Sequence, residues 1–203
     1  MRLFVVAAIL VGTALPAHGQ TRLHADGAVG IAGDPQSPTP VHLGGTTWSS
    51  RLAVGADVSR RLAVEVEVAF TGDIDADPYQ YRPSLDRRVD VETHGRRTVL
   101  SVLLKARAGV IEPLVGLGYA RSTVRSHATF TDSGTDYFDS TRNVNGIALV
   151  SGLDIAAPVS PRLAIVPTFR VYIIERGDTP VFGNTASAGP VVFLAGLGVR
   201  VRF

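Results

Sequence analysis

Asp57, Glu65, Glu67, Lys105, Arg107, Asp154, Arg170, Arg200 and Arg202 each interrupt an apolar run at an alternate position. An extended backbone brings side chains spaced in this way onto one face. Such a face can do two kinds of chemistry. Its carboxylates can pair with the guanidinium and ammonium groups in a closed ion network, which a crowded low-dielectric interior accepts when every charge has a partner. Alternatively, the charges can line a narrow polar path whose basic excess near Arg200 and Arg202 favours anions. Glu65 and Glu67 stand one strand away from Lys105 and Arg107, and His24 and Asp26 can meet Arg200 or Arg202 if the first and last strands join.

Other chemistries fail on spacing. Asp73-Ile74-Asp75-Ala76-Asp77 resembles the opening of a calcium loop, but Pro78 stands where a turn glycine is needed and Ser84 where a bidentate glutamate belongs. Asp132, Asp136 and Asp139 make no better cation site, and no metal or cofactor is expected. His127-Ala128-Thr129 comes nearest to a His–Ser hydrolase pair, yet no acid is suitably placed, and His24, His42 and His94 have no serine at strand spacing. The expectation is therefore a protein that is not an enzyme. Arg82, Arg87, Arg88, Arg96 and Arg97 could reach phosphates of lipopolysaccharide, but Asp86, Asp90 and Glu92 are interspersed among them. Cysteine is absent, which excludes disulfides, thiolate metal sites and a thioacylated anchor. The net charge of +2 gives no field that would attract nucleic acid.

The elements that must position these charges are strands. Leu62, Val64, Val66, Val68 and Phe70 alternate with Arg61, Ala63, Glu65, Glu67 and Ala69, and seven further segments repeat that period of two. The eight start near Leu23, Leu52, Leu62, Leu100, Leu114, Ile147, Leu163 and Val191. Connections at Ser59-Arg60, Gly109–Glu112 and Pro158–Pro161 are short. Those at Gly33–Thr47, Thr71–Arg96, Thr123–Asn143 and Glu175–Pro190 are long and polar. Short turns on one side and long loops on the other is the plan of an outer-membrane barrel. Val89 and Val91 alternate with Asp90 and Glu92, so the second hairpin is expected to continue above the membrane. Pro167 falls in mid-strand and lacks a ladder donor, which predicts a local bulge and a shifted register.

The alternating wall can face lipid, or it can line the cavity of a soluble lipocalin-like carrier. Three features favour lipid. The apolar face is aliphatic on nearly every strand. The opposite face is rich in small residues such as Gly55, Ala63, Gly116, Gly152 and Gly198, which suit the cramped inside of an eight-stranded barrel. Trp48, Phe70 and Phe203 lie at strand ends on the apolar face, where interfacial rings belong. Residues 1–19 read as a secretory signal, with Arg2, an apolar run from Leu3 to Leu15, and Ala17-His18-Gly19 before a cut at Gln20. That run is too short to span a bilayer as a helix. Residues 20–203 are left as one barrel domain.

Two segments carry a family resemblance. Leu197, Val199, Val201 and the terminal Phe203 look like the C-terminal signal read by the barrel-assembly machinery, and Glu112–Tyr119 is similar to the Pro-x-Val-Gly-x-Gly strand of small OmpA-like and OmpW-like outer-membrane barrels. The resemblance implies an all-β, eight-stranded, antiparallel up-and-down transmembrane barrel in the outer membrane of a Gram-negative cell. The implied partners are outer-membrane lipid, lipopolysaccharide and the assembly machinery. Tethering to peptidoglycan, which a domain after the barrel performs in OmpA-type proteins, is not among the expectations carried over. The expected protein is a monomer with a structural or surface-interaction role and a mostly closed polar lumen. The alternative is a narrow passive porin for small solutes, ahead of a lipid-modifying barrel enzyme or a soluble carrier.

Overall fold

The computed structural model describes residues 22–34, 45–75, 79–84, 87–175, 178–181, 184–187 and 191–203. The expected signal, His42, Asp77 and Pro78 lie outside them. Eight long strands make the barrel: β1 (Leu23–Asp34), β2 (Gly45–Asp57), β3 (Leu62–Thr71), β4 (Arg87–Ala106), β5 (Ile111–Phe130), β6 (Asp136–Ile155), β7 (Leu163–Ile174) and β8 (Val191–Arg202). Each pairs antiparallel with its neighbours in sequence, and β8 also pairs with β1, so the sheet closes without a free edge at membrane level.

The register fixes the bore. Cross-strand partners lead from Leu23 through Ala56, Val64, Leu104, Val115, Ser151, Val171 and Phe193 back to β1 at Gly33, so one circuit climbs 10 residues. With eight strands, that stagger sets a tilt of roughly 40° and a backbone radius of roughly 8 Å. Side chains alone can fill a cylinder this narrow.

Period-two sequence and pleat agree on every barrel strand. On β3, Ala63, Glu65, Glu67 and Ala69 are buried while Leu62, Val66 and Phe70 are exposed. Val29, Leu52, Val54, Leu117, Ile147 and Leu197 are all more than half exposed, whereas Arg51, Lys105, Arg170 and Arg200 are fully buried. A water-soluble barrel would show the reverse. An aliphatic exterior around a charged interior needs hydrocarbon outside.

One short turn is tighter than the sequence indicates. Ala108 and Ile111 pair across Gly109 and Val110, and Gly109 takes φ +70°, a conformation that glycine adopts without strain. Glu112 therefore belongs to β5 and points inward, not to the turn assigned to it. The other two turns share a device. Ser59 Oγ accepts from the Leu62 amide at 3.1 Å, and Ser160 Oγ accepts from the Leu163 amide at 3.1 Å.

One expected loop turns out to be mostly strand, and the second hairpin continues upward as Val89 and Val91 indicate. β4, β5 and β6 run for 20 residues each, about twice what a bilayer crossing needs. The segment assigned to Thr123–Asn143 shrinks to a turn at residues 131–135, with Gly134 at φ +63°. The reason is an inner apolar face that continues upward: Val89, Val91 and Ala128 pack together, with Phe130 and Phe138 against them. Ile74–Asp75 and Tyr79–Ser84 pair with the other side of β4. One extra residue between Phe70, opposite Thr98, and Ile74, opposite Gly95, turns Ile74 inward. The last outer connection holds a small hairpin, Asp178–Val181 against Asn184–Ser187.

Pro167 makes no bulge. It pairs in register with Leu197, and the ladder to β8 is continuous on both sides of it. Toward β6 the pairing pauses after Thr168 opposite Asp154 and resumes in the same register at Ile165 opposite Ala157. Ala156, in that gap, sends its amide to the Val110 carbonyl at 2.7 Å. That bond is the next step of the ladder to β5 beyond Ile111 and Ile155, so β6 stays held on its other side where Pro167 offers no donor.

Candidate functional site

The lumen is closed in two layers. On the turn side lies an ion network drawn from all eight strands. Lys105 Nζ from β4 sits at its centre. It contacts Glu65, lies 2.7 Å from Asp154, and stands 3.7 Å from Glu112 and 3.8 Å from Asp26. Arg200 from β8 clamps Asp26 with Nε at 2.7 Å and Nη2 at 2.9 Å, while Nη1 donates to Glu112 at 2.5 Å. The guanidinium fork suits this bidentate geometry. Arg170 from β7 spans Glu67 at 3.0 Å and Asp154 at 2.7 Å. Arg51 from β2 adds a bond to Glu67 at 3.0 Å, and the Tyr172 hydroxyl donates to the other Glu67 oxygen at 2.9 Å. Nearer the turn-side mouth, Arg107 meets Asp57 at 2.5 Å, and His24 Nε2 lies 2.7 Å from Glu65.

The charges nearly cancel. Asp26, Asp57, Glu65, Glu67, Glu112 and Asp154 face Arg51, Lys105, Arg107, Arg170 and Arg200, with His24 among them. Buried charges are stable only when compensated in this way. Glycines make the room. A Cβ at Gly152 would stand 2.9 Å from Arg170 Cδ, and one at Gly55 would stand 2.5 Å from Glu65 Cγ.

The second layer lies on the loop side and is apolar. Ala32, Ala69, Val99, Ala148, Val150, Ile174, Val192 and Leu194 form one buried cluster. On β1, β3, β6, β7 and β8 the order is the same: the apolar inward residue lies on the loop side of the charged one, while on β4 Val99 stands between Lys105 below and the buried Arg97 above.

Of the charges singled out by spacing, Asp57, Glu65, Glu67, Lys105, Arg107, Asp154, Arg170 and Arg200 come together in this network. Arg202 is half-buried at the turn-side rim, opposite His24. Spacing missed Arg51 and Glu112, each at an inward position beside a turn or loop boundary where the alternation is short. It also missed the apolar layer altogether. Trp48, Phe70 and Phe203 are exposed on the outer wall at 62%, 37% and 77%. Leu197, Val199 and Val201 also face outward. Phe169 and Phe193 add a stacked pair at 6.1 Å.

The remaining candidates separate. Asp75 pairs with His94 Nδ1 at 2.7 Å. His127 lies in strand β5, not in a loop; it stands 3.5 Å from Asp136, and the adjacent Ser126 is buried against Thr93 on the opposite face. His24, Asp26 and Glu65 converge closely enough to suggest a metal site, but Lys105 and Arg200 already supply the positive charge there. Arg87 lies over the Phe130 ring at 5.1 Å, and Arg97 is buried.

No protein-family model matches the sequence, and no curated protein resembles it closely enough to count as a relative. Solved structures do match the fold. Ail, the attachment invasion locus protein of Yersinia pestis, solved in complex with the heparin analogue sucrose octasulfate, superposes with a TM-score of 0.56 at 12% identity, covering 91% of this chain and 100% of Ail. A major outer membrane protein from Thermus thermophilus gives 0.57 at 16% identity, with 91% and 100% covered. OprG from Pseudomonas aeruginosa gives 0.52 at 12% identity, with 90% and 97% covered. With a closed eight-stranded wall, an aliphatic exterior and charges inside, the chain is, by fold, a small β-barrel of the outer-membrane type.

Proposed function

We propose that this protein is a surface-displayed barrel whose lumen does not conduct and whose outer sheet is the working part. The observation that carries this reading is the double closure of a bore of roughly 8 Å backbone radius: fully buried ion pairs from Glu65 to Arg200 below, and the cluster around Val150 and Leu194 above. A passive porin would need an aligned polar path, and the apolar layer interrupts it. The extended β4, β5 and β6 carry backbone and side chains well beyond the bilayer, more structure than a mere membrane plug requires. In this reading the lipid of the outer membrane surrounds the belt, the assembly machinery engages Leu197, Val199, Val201 and Phe203, and the barrel acts as a monomer without catalysis.

Single-channel recording tests this. The purified barrel, inserted into a planar bilayer, should give no reproducible steps in molar potassium chloride. Regular steps of uniform size would establish the narrow pore instead.

A further inference from the structure

Above the membrane belt, the outer wall carries a cleft of about 730 Å³. Its floor is aromatic. Trp48 and Phe70 sit at the loop-side ends of β2 and β3, both facing outward. Its far side is cationic, from Arg96 on β4 and Arg121 and Arg125 on β5, all exposed.

The register crowds these three guanidinium groups. Arg96 stands opposite Thr123, and Arg121 and Arg125 lie two residues to either side of Thr123 on the same face. Diagonal neighbours across a strand pair are about 7–8 Å apart, close enough for like charges to repel. Among the described residues, Arg96, Arg121 and Arg125 have no carboxylate at ion-pair distance, and Asp73 is the one carboxylate lining the cleft. Asn143 Oδ1 accepts from Arg121 Nε at 3.3 Å and from Thr123 Oγ1 at 2.9 Å. That contact fixes the guanidinium from one side and leaves its two Nη groups for another acceptor.

Depth selects the ligand. Tyr119, one outward position below Arg121 on β5, is the last of the outward run Val115, Leu117 and Tyr119. Arg121 therefore begins where the greasy wall ends. Aromatic rings at the headgroup level, with guanidinium groups immediately above, match an amphiphile whose acyl chains lie along the wall and whose phosphate lies over the arginines. We infer that this cleft binds the phosphorylated headgroup of an acyl lipid of the outer leaflet, held by Arg96, Arg121 and Arg125 over Trp48 and Phe70. The inference rests on the outer-membrane reading above and names the partner of its outer sheet.

Trp48 is the only tryptophan of the chain, so its fluorescence reports on this cleft alone. The full mature barrel in neutral detergent micelles is titrated with diphosphoryl lipid A. A saturable blue shift is expected. Enzymatically dephosphorylated lipid A should bind at least tenfold more weakly, as should diphosphoryl lipid A to the Arg121→Gln/Arg125→Gln variant. Arg88→Gln, which removes an exposed charge of the same sheet outside the cleft, should bind like the parent. Inorganic phosphate at equal concentration should leave the emission unchanged. Equal binding of dephosphorylated lipid, equal loss in Arg88→Gln, or an equal response to inorganic phosphate would each overturn the site. Heat-dependent gel mobility and a β-sheet circular dichroism spectrum separate the two failures. A chain that forms no barrel in micelles refutes the membrane reading, whereas a folded barrel with silent Trp48 refutes only this site. If the double variant does not fold, Arg125→Gln alone serves, with a loss of at least threefold expected and no loss refuting the site.

Discussion

Asp154 and Val150 are inward residues of one strand, four positions apart, and they close the same lumen by opposite means. Asp154 accepts from Lys105, Arg170 and Thr168 at 2.7 Å each, partners drawn from two other strands. Val150 packs in a cluster with Leu194, Val192 and Ile174 without a directed bond. Arg200 and Leu194 repeat the contrast on β8. The ionic layer is directional: each carboxylate needs its cations at set places on strands far apart in sequence. The apolar layer needs volume and little else. The first is therefore intolerant of a lost partner and the second of a lost methyl group, and the two penalties differ in size.

The largest effect is expected from Asp154→Ala. It removes one carboxylate shared by Lys105, Arg170 and Arg200, all fully buried, and leaves Lys105 with Glu65, Arg170 with Glu67 and Arg200 with Asp26 and Glu112. Breaking a buried ion pair by removing one partner costs about 3–5 kcal/mol. Urea unfolding of the barrel in micelles, followed by gel mobility, should show a fall of that size in stability. A loss below about 1 kcal/mol would mean that the remaining five carboxylates redistribute the cations among themselves, and the layer would be a pool of charge in place of a fixed network.

Leu194→Ala probes the other layer. The residue is 2% exposed, and truncating a buried leucine costs about 2–5 kcal/mol, toward the lower end where neighbours close in on the space. Its loss should be smaller than that of Asp154→Ala. Since no hydrogen bond or ion pair links the two residues, the double variant should lose the sum to within about 0.5 kcal/mol. A marked shortfall from additivity would show that the layers act as one plug and would end the distinction between them.

The two layers also differ in how much of them could be read from residues alone. Charges such as Glu65, Lys105 and Arg170 stand out of phase with aliphatic neighbours, so their common face was legible. The inward apolar residues give no such contrast. Val191-Val192-Phe193-Leu194 and Ala148-Leu149-Val150 are apolar on both faces, and period two disappears into a continuous run. Outer strand lengths were hidden for a related reason. Above the membrane the outward face of β5 becomes Arg121, Thr123, Arg125 and His127, polar enough to read as loop, while the pairing that keeps it extended comes from β4 and β6. Arg121 and Arg125 escaped notice because they were set against that loop and not against Trp48 and Phe70, which only the closed sheet brings beside them. Pro167 shows the converse. Its chemistry argues for a bulge, and β8 on its other side keeps the register whole.

The smallest effect extends the comparison to water. Asp75 and His94 form the same kind of pair as those in the lumen, at 2.7 Å, but their side chains are 73% and 45% exposed on the outer sheet. There solvent screens the attraction and rewards neither partner for being fixed, so such a pair contributes at most about 0.5 kcal/mol. Asp75→Asn keeps the shape and removes the charge. It should leave the unfolding midpoint of the barrel nearly where it was, and raising the salt should change nothing further. If instead it costs more than about 1 kcal/mol, the outer sheet depends on this contact to hold Ile74–Asp75 against β4. Burial would then not be what separates a strong pair from a weak one in this protein, and the ranking drawn from Asp154 would lose its physical basis.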